Sequence, residues 1–227
     1  MASLTHVRPD GEFHPAFEEY CERIFEMRED KVELIQARLA ERLGVTRASV
    51  SEMIKRMTDE GLVTVTDSSR IALSASGQAL AERVVRRHRL AERFLIDVLG
   101  LPWSTSHHEA CRWEHVMSEE VEAAMQRLLG QPTTCPHGNP IPRSGYTPAA
   151  TVPLSRVPVG ATFSVDRIPE DLEETDGVLE FLEKCRLMPG ARGTVVRTGE
   201  DRDVTVHVDR DVEVHAFVSR RILVTMP

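Results

Sequence analysis

The apolar positions change their spacing several times along the chain, and each change marks an element. Phe17, Tyr20, Ile24 and Met27 recur at helical intervals, and Pro15 suits a first turn, so residues 14–29 are predicted to form a helix. A second helix is predicted over 32–43, with Leu34, Ile35, Leu39 and Leu43 on one face and Gly44 as its stop. Thr46 is placed to cap a third, over 47–60, that turns Val50, Met53, Ile54 and Met57 inward and ends at Gly61. The spacing then falls to two over 62–66, passes a polar turn at 67–70 and resumes over 71–73, which reads as a short hairpin. Ser74 or Ser76 is expected to cap a long helix reaching about Leu99. Gly100, Leu101 and Pro102 break the chain, and one further long helix is predicted over 104–129.

From 130 to 158 seven prolines fall among Gly, Ser and Thr, which predicts a linker or extended loop outside any core. Beyond it, short alternating runs at 162–165, 194–196, 204–208, 212–214 and 221–224 surround one helix at 176–185, the pattern of a small β-barrel. The chain thus divides into 1–73, three helices and a hairpin; 74–142, a helical domain; 143–160, a Pro-rich linker; and 161–227, the barrel. The fold class is mainly α with β.

No apolar run is long enough to span a membrane, and the polar start is unlike a signal peptide, so a cytoplasmic protein without a membrane partner is expected. Four cysteines, Cys21, Cys111, Cys135 and Cys185, form no C-x-x-C pair, which argues against a zinc ribbon. Cys21 and Cys185 read as core, and Cys135 with His137 gives two donors only, so neither is assigned a role. The net charge of −8 does not suggest a nucleic-acid partner, but its distribution does. Residues 31–89 carry eleven basic against seven acidic side chains, a basic segment inside an acidic protein.

Helix, short Gly-containing turn, helix and hairpin between 32 and 73 is the order of a winged helix-turn-helix. In that fold the helix starting after Thr46 lies in the major groove of double-stranded DNA. Thr46, Arg47, Ala48, Ser49, Ser51 and Glu52 would be its presented residues, Lys55 and Arg56 phosphate contacts farther along, and Arg70 a contact at the hairpin tip. The same fold also serves protein contacts in other molecules.

Metal chemistry is suggested by the run 107–115. His107, Cys111 and His115 recur every fourth residue, Glu114 is three after Cys111, and on the preceding helix His88 and Glu92 are four apart. Such offsets share a helix face, and imidazole, thiolate and carboxylate together make a transition-metal ligand set. Any one of them alone would read as a core cysteine or a surface histidine. A metal-dependent hydrolase could use the same donors, but the chain lacks H-E-x-x-H and G-x-S-x-G, and neither a hydrolase nor a metal buffer needs a DNA reader. No enzymatic activity and no catalytic residue are expected.

The runs 88–93 (HRLAER) and 109–118 (EACRWEHVMS), with AERL at 40–43, Arg56-Met57, Gly61-Leu62-Val63 and GNPIP at 138–142, closely resemble the diphtheria toxin repressor family of iron-dependent regulators, with manganese transport regulators as distant relatives. The resemblance implies a homodimer that binds divalent metal in two sites and then binds palindromic operators of metal-homeostasis genes, and a C-terminal barrel of SH3-like form. Carried over by position, one site takes Cys111, Glu114 and His115 with a residue of the first helix. The other takes His88, Glu92 and His107, completed by Glu170 and Glu173, which the acidic run 170–174 would otherwise leave in solvent. Iron-type members carry Met on the first helix where this chain has Glu19, with Glu22 one turn on, as manganese-type members do, yet Cys111 stands where that type has a carboxylate. The resemblance leaves open whether Glu19 or Glu22 completes the site. Thiolate favours iron, cobalt, nickel or zinc, and carboxylate suits either class. The reading is Fe(II), with Mn(II) as the alternative and Co, Ni or Zn as substitutes in vitro.

Overall fold

The computed structural model describes residues 15–199 and 201–227, so the predicted helix start at His14 lies outside the described residues. The chain divides into two compact units, 1–87 and 88–227.

In the first unit, α1 (Pro15–Glu29) buries Phe17, Tyr20, Cys21 and Ile24. The second helix is shorter than its apolar spacing suggests: α2 covers Gln36–Leu43. Residues 32–35 are extended instead, because the hairpin offers them a free edge. Ile35 bridges Arg70 in antiparallel sense, and the Leu34 carbonyl accepts from the Ile71 amide at 2.8 Å. Leu34 and Ile35 fit either spacing, and the β-branch of Ile35 favours the strand. Gly44 closes α2 at φ 63°, a left-handed conformation that favours glycine. In α3 (Arg47–Asp59), Thr46 Oγ1 accepts from the Ser49 amide at 3.1 Å, and Val50, Ile54 and Met57 face the core. The hairpin is β1 (Val63–Val65) against β2 (Ile71–Leu73). Ser74 caps α4 (Ala75–Asp97) by accepting from the Gly77 amide at 3.1 Å. A Cβ at Gly77 would lie 2.0 Å from the Leu62 carbonyl oxygen, so only glycine allows this approach. The early turns of α4 give Leu80, Ala81 and Val85 to the same core.

The second unit begins with the later turns of α4. A 3-10 turn at Trp103–Thr105 leads to α5 (Ser106–Trp113) and α6 (Glu119–Leu128). The single helix predicted over 104–129 is therefore two. Ser118 is extended, its Oγ accepts from the Val121 amide at 3.3 Å, and Glu119, Glu120 and Glu122 crowd the new N-terminus, where the helix dipole favours them. Glu114 and His115 consequently leave the helix axis at a turn.

The proline-rich stretch is also corrected. Its regular structure is limited to a two-residue strand, Val152–Pro153, and a 3-10 turn, Leu154–Arg156, yet Cys135, His137, Asn139 and Ile141 are buried. Proline stops helices and central strands; it does not prevent burial once the backbone groups find partners. Here the Cys135 amide donates to the Asn139 carbonyl and the Ile141 amide to the Thr133 carbonyl, each at 2.8 Å, and the His137 carbonyl accepts from the Ile168 amide at 2.8 Å. The Asn139 side chain donates to the Ile168 carbonyl at 2.9 Å and to Glu173 Oε1 and accepts from Arg167. The helical segment and the barrel accordingly fall within one compact unit rather than two joined by a free tether.

The barrel is a six-stranded antiparallel sheet of SH3-like form: β3 (Val152–Pro153), β4 (Thr162–Arg167), β5 (Arg192–Thr198), β6 (Val204–His207), β7 (Asp211–Val214) and β8 (Leu223–Thr225), in the order β3-β8-β4-β5-β6-β7. Register shifts after Val165 and Val195 bend its strands. Short helices α7 (Glu170–Glu173), α8 (Val178–Lys184) and α9 (Ala216–Ser219) complete it. Trp103 is part of this core.

Candidate metal centre and nucleic-acid interface

In the first unit, Thr46, Arg47, Ala48, Ser49, Ser51, Glu52 and Lys55 form one exposed face at the N-terminal half of α3. Arg56 is half-buried with its guanidinium 5.4 Å from the Phe17 ring centroid, and Arg70, exposed, lies 3.5 Å from Glu33. Glu19 and Glu22 sit nearly one turn apart on α1, with Glu19 3.2 Å from Arg23.

In the second unit, α4, α5, the proline-rich loop and α7 converge on a buried cluster of imidazoles and carboxylates. Glu92 Oε1 lies 3.3 Å from His88 Nε2, 3.5 Å from His107 Nδ1 and 3.1 Å from His137 Nδ1. Glu173 Oε2 lies 3.1 Å from His107 Nδ1 and 3.0 Å from His137 Nδ1. Glu170 Oε2 is 3.8 Å from His107, while its other oxygen pairs with Arg89 at 3.1 Å. Three overlapping donor sets have ligand atoms within 4.8 Å of one another: His88, His107 and Cys111; Glu92, Cys135 and His137; Glu92, His107 and Glu173. Beside them, Glu114 accepts from His88 Nδ1 at 2.6 Å through Oε2 and faces His115 Nε2 at 3.1 Å through Oε1. Cys111 thus stands with His88 and His107, its Sγ 3.8 Å from His107 Nε2.

These residues fit a divalent cation. Both oxygens of Glu92, Oε2 of Glu170 and Glu173, and Nε2 of His137 are buried without a hydrogen bond of acceptable geometry. Such atoms are costly unless a partner of opposite charge satisfies them, and an ion between carboxylates and imidazoles would. Burial works against charge on the three imidazoles, but the surrounding carboxylates prevail: Glu92 above all raises His88, Glu173 and Glu92 raise His137, and hydrogen bonds with Cys111, Glu173 and Glu92 raise His107, all well above the usual value. Glu92 stays charged despite burial, held well below the carboxylate range by His137 and His88. Burial opposes the Cys111 thiolate, yet His107 and His88 lower its pKa. Cys135, buried beside Glu92, is pushed up to about 12.

Residues 12–70 match the family model for the "Iron dependent repressor, N-terminal DNA binding domain", and residues 74–143 the model for the "Iron dependent repressor, metal binding and dimerisation domain". The chain belongs to the iron-dependent repressor family. This repressor is 40% identical over 192 residues to the iron-dependent repressor IdeR of Mycobacterium tuberculosis, covering 80% of this chain and 84% of that one. It is 49% identical over 125 residues to the diphtheria toxin repressor of Corynebacterium jeikeium, covering 55% and 52%. A solved manganese-dependent transcriptional repressor in complex with manganese aligns at TM-score 0.82 with 29% identity, over 93% of this chain and all of that one. The protein is a metal-dependent transcriptional repressor, with DNA and a second copy of the chain as partners and a divalent metal as cofactor.

Two residues of the repressor's cluster escape a reading by helical spacing. Cys135 and His137 lie in a proline-rich segment that carries no periodicity, and the only signal for them is two donors flanking one proline. Glu170 and Glu173, by contrast, are drawn out of the acidic run into the cluster, whereas their neighbour Asp171 turns to Arg221.

Proposed function

We propose that the protein is an Fe(II)-responsive repressor that binds palindromic operators of metal-homeostasis genes as a dimer in the cytoplasm, with no catalytic activity. One observation carries the metal reading: a buried set of imidazoles, carboxylates and a thiol of lowered pKa in which four carboxylate oxygens, both of Glu92 and Oε2 of Glu170 and of Glu173, lack hydrogen-bond partners. In this reading Cys111, Glu114 and His115 hold one ion together with Glu19 or Glu22. His88, Glu92 and His107 hold a second, with Glu170, Glu173, Cys135 and His137 around it. A bound divalent ion supplies positive charge that neutralises the clustered carboxylates and ties donors of separate segments to one point.

What this chain's own residues do follows from that. Donors on α1 drawn to the same ion as those after α5 would fix the reader's position. Such a contact would be available only in the DNA-competent arrangement, as a ligand needs in order to shift a population. The exposed face of α3, Thr46 to Lys55, would then enter the major groove, with Arg70 on a neighbouring phosphate. Two readers must stand about one helical turn of DNA, roughly 34–36 Å, apart. Val98, Leu99, Val116 and Leu128 are large apolar side chains left exposed around the helical segment, and they supply the candidate dimer surface; Leu95, Trp103 and Met125, equally apolar, are already buried. On this reading the DNA-binding domain ends near residue 73 and the metal-binding and dimerisation domain near 142.

Cys111 supports iron, since thiolate disfavours manganese. A manganese-responsive reading rests on Glu19 and Glu22, which add hard oxygen donors. Operator-like palindromic DNA, titrated with protein under anaerobic conditions in Fe(II), Mn(II), Co(II) and Zn(II), separates the two. Equal binding with metal and with chelator would overturn both.

A further inference from the structure

The segment that carries Cys135 and His137 lies outside any helix or strand, so its carbonyls need donors from elsewhere. Three long side chains supply them. Arg93 Nε donates to the Thr134 carbonyl at 2.9 Å, Trp103 Nε1 to the Pro136 carbonyl at 3.2 Å, and Arg89 to the Pro140 carbonyl. The arginines hold the two ends of the loop and Trp103 holds its middle. On the barrel side the loop lies flush against β4, since a Cβ at Gly138 would stand 2.2 Å from the Asp166 carbonyl oxygen. Trp103 meets this loop twice. Its hydrogen bond falls on the residue between Cys135 and His137, and its ring packs on the His137 imidazole with centroids 4.5 Å apart and planes inclined at 56°. Trp103 is itself fixed. Its ring is buried with the apolar side chains of the barrel, its amide donates to Glu183 Oε1 at 3.1 Å, and Ser104 Oγ donates to Glu183 Oε2 at 2.6 Å. A buried indole N–H requires an acceptor, and Pro136 provides it.

We infer that Trp103 is a positioning residue for His137: through the Pro136 carbonyl and the face of its ring it sets where the imidazole stands, with Nδ1 3.1 Å from Glu92 and 3.0 Å from Glu173, while Glu183 of α8 fixes Trp103 in turn. This rests on the reading above that His137 lies beside the second ion, and it names what puts the ring there. Trp103 offers a metal no donor atom, so its effect on an ion is indirect. A side chain held in place before the ion arrives binds it more tightly than one the ion must order for itself. In a loop without a ladder of its own, that ordering falls to Trp103.

Trp103→Phe keeps an aromatic ring against His137 and in the barrel core and removes the indole donor. The full chain, Trp103→Phe, His137→Ala and the double variant are titrated with Co(II) by calorimetry and near-ultraviolet absorption, where thiolate-to-cobalt charge transfer lost in Cys111→Ser marks the Cys111 site. Trp103→Phe should weaken the class of sites that His137→Ala weakens about fivefold, as loss of one hydrogen bond does, and leave the Cys111 site within about twofold. On the His137→Ala background the same substitution should change affinity by less than about twofold, because a residue that acts through His137 then has nothing to position. A purely structural role predicts additive losses in the double variant or equal weakening of both classes. Either result, or an affinity unchanged in Trp103→Phe, overturns the inference alone. If His137→Ala leaves both classes unchanged, the ion beside His137 is misplaced and the inference falls with that reading. A second measurement does not need the phenylalanine variant to fold. Nitrogen-15 spectra of the parent chain should show two indole N–H signals, from Trp103 and Trp113, assigned with Trp113→Phe. Zn(II) should shift the Trp103 signal in the parent chain and in Cys111→Ser but not in His137→Ala. A Trp103 signal that Zn(II) leaves in place in the parent chain, or moves equally in His137→Ala, overturns the inference.

Discussion

Arg89 and Glu170 form an ion pair at 3.1 Å in which neither side chain is more than 1% exposed, joining the later turns of α4 to α7. Arg89 also donates to the Pro140 carbonyl, so one guanidinium ties together three segments that carry the proposed metal donors. Burial would by itself raise the Glu170 pKa, but Arg89 holds it down at about 2. Arg89→Met should therefore leave a buried carboxylate unpaired and cost about 3–5 kcal/mol in chemical denaturation without metal. Saturating metal should restore part of that loss, because an ion can replace the missing positive charge. A loss below about 1 kcal/mol would show that the pair contributes little.

His137 stands beside Glu92 and Glu173 of the proposed second site, although sequence spacing gives it no role. His137→Ala should reduce the rise in melting temperature produced by Co(II) and weaken one class of sites about tenfold or more, with the Cys111 absorption band retained. Full retention of both classes in calorimetry would remove His137 and its loop from the ligand set.

The raised pKa values of His88, His107 and His137 set a pH dependence with opposite signs for the free and loaded protein. In the metal-free protein these groups contribute stability that is fully present below the unfolded value of about 6.5 and is lost as pH rises through the higher folded values. If these imidazoles are ligands, metal must displace the same protons, so affinity should climb with pH, roughly tenfold per unit for each proton released. Melting temperatures and Co(II) titrations across about pH 6 to 8.5 should diverge accordingly. A pH-independent affinity would mean that the imidazoles are not ligands.

Selectivity is expected to follow the one soft donor of the first site. Cys111→Glu should move DNA activation from Fe(II) toward Mn(II) in an operator-binding assay. Glu19→Ala should leave a folded dimer that binds metal more weakly and no longer responds on DNA. If Glu19→Ala keeps its full response, Glu22 is the carboxylate to substitute next.

On the DNA side, Arg47→Ala and Lys55→Ala should each weaken operator binding. Each should also flatten the slope of log affinity against log salt by about 0.9, the signature of one lost phosphate contact. If Arg47 reads a guanine instead, its variant should relax sequence preference with less change in slope.

Much of the reader is local, and local features are legible. The Thr46 cap, the Gly44 stop, the inward stripe Val50, Ile54, Met57 and the hairpin each depend on residues a few positions apart, and the run from His107 to His115 declares itself by helical offsets. The remainder depends on partners that spacing cannot name. Residues 32–35 are extended because the hairpin edge that captures them lies far along the chain, and the helix over 104–129 divides because the cap at Ser118 outcompetes continuation. Cys135 and His137 join Glu92, and Glu170 and Glu173 leave their acidic run, only once a loop, a helix and the edge of a barrel close on one another. Sequence determined which donors the chain owns. Tertiary packing decided which of them share a buried, low-dielectric space, where an unpaired charge is costly enough to select an ion.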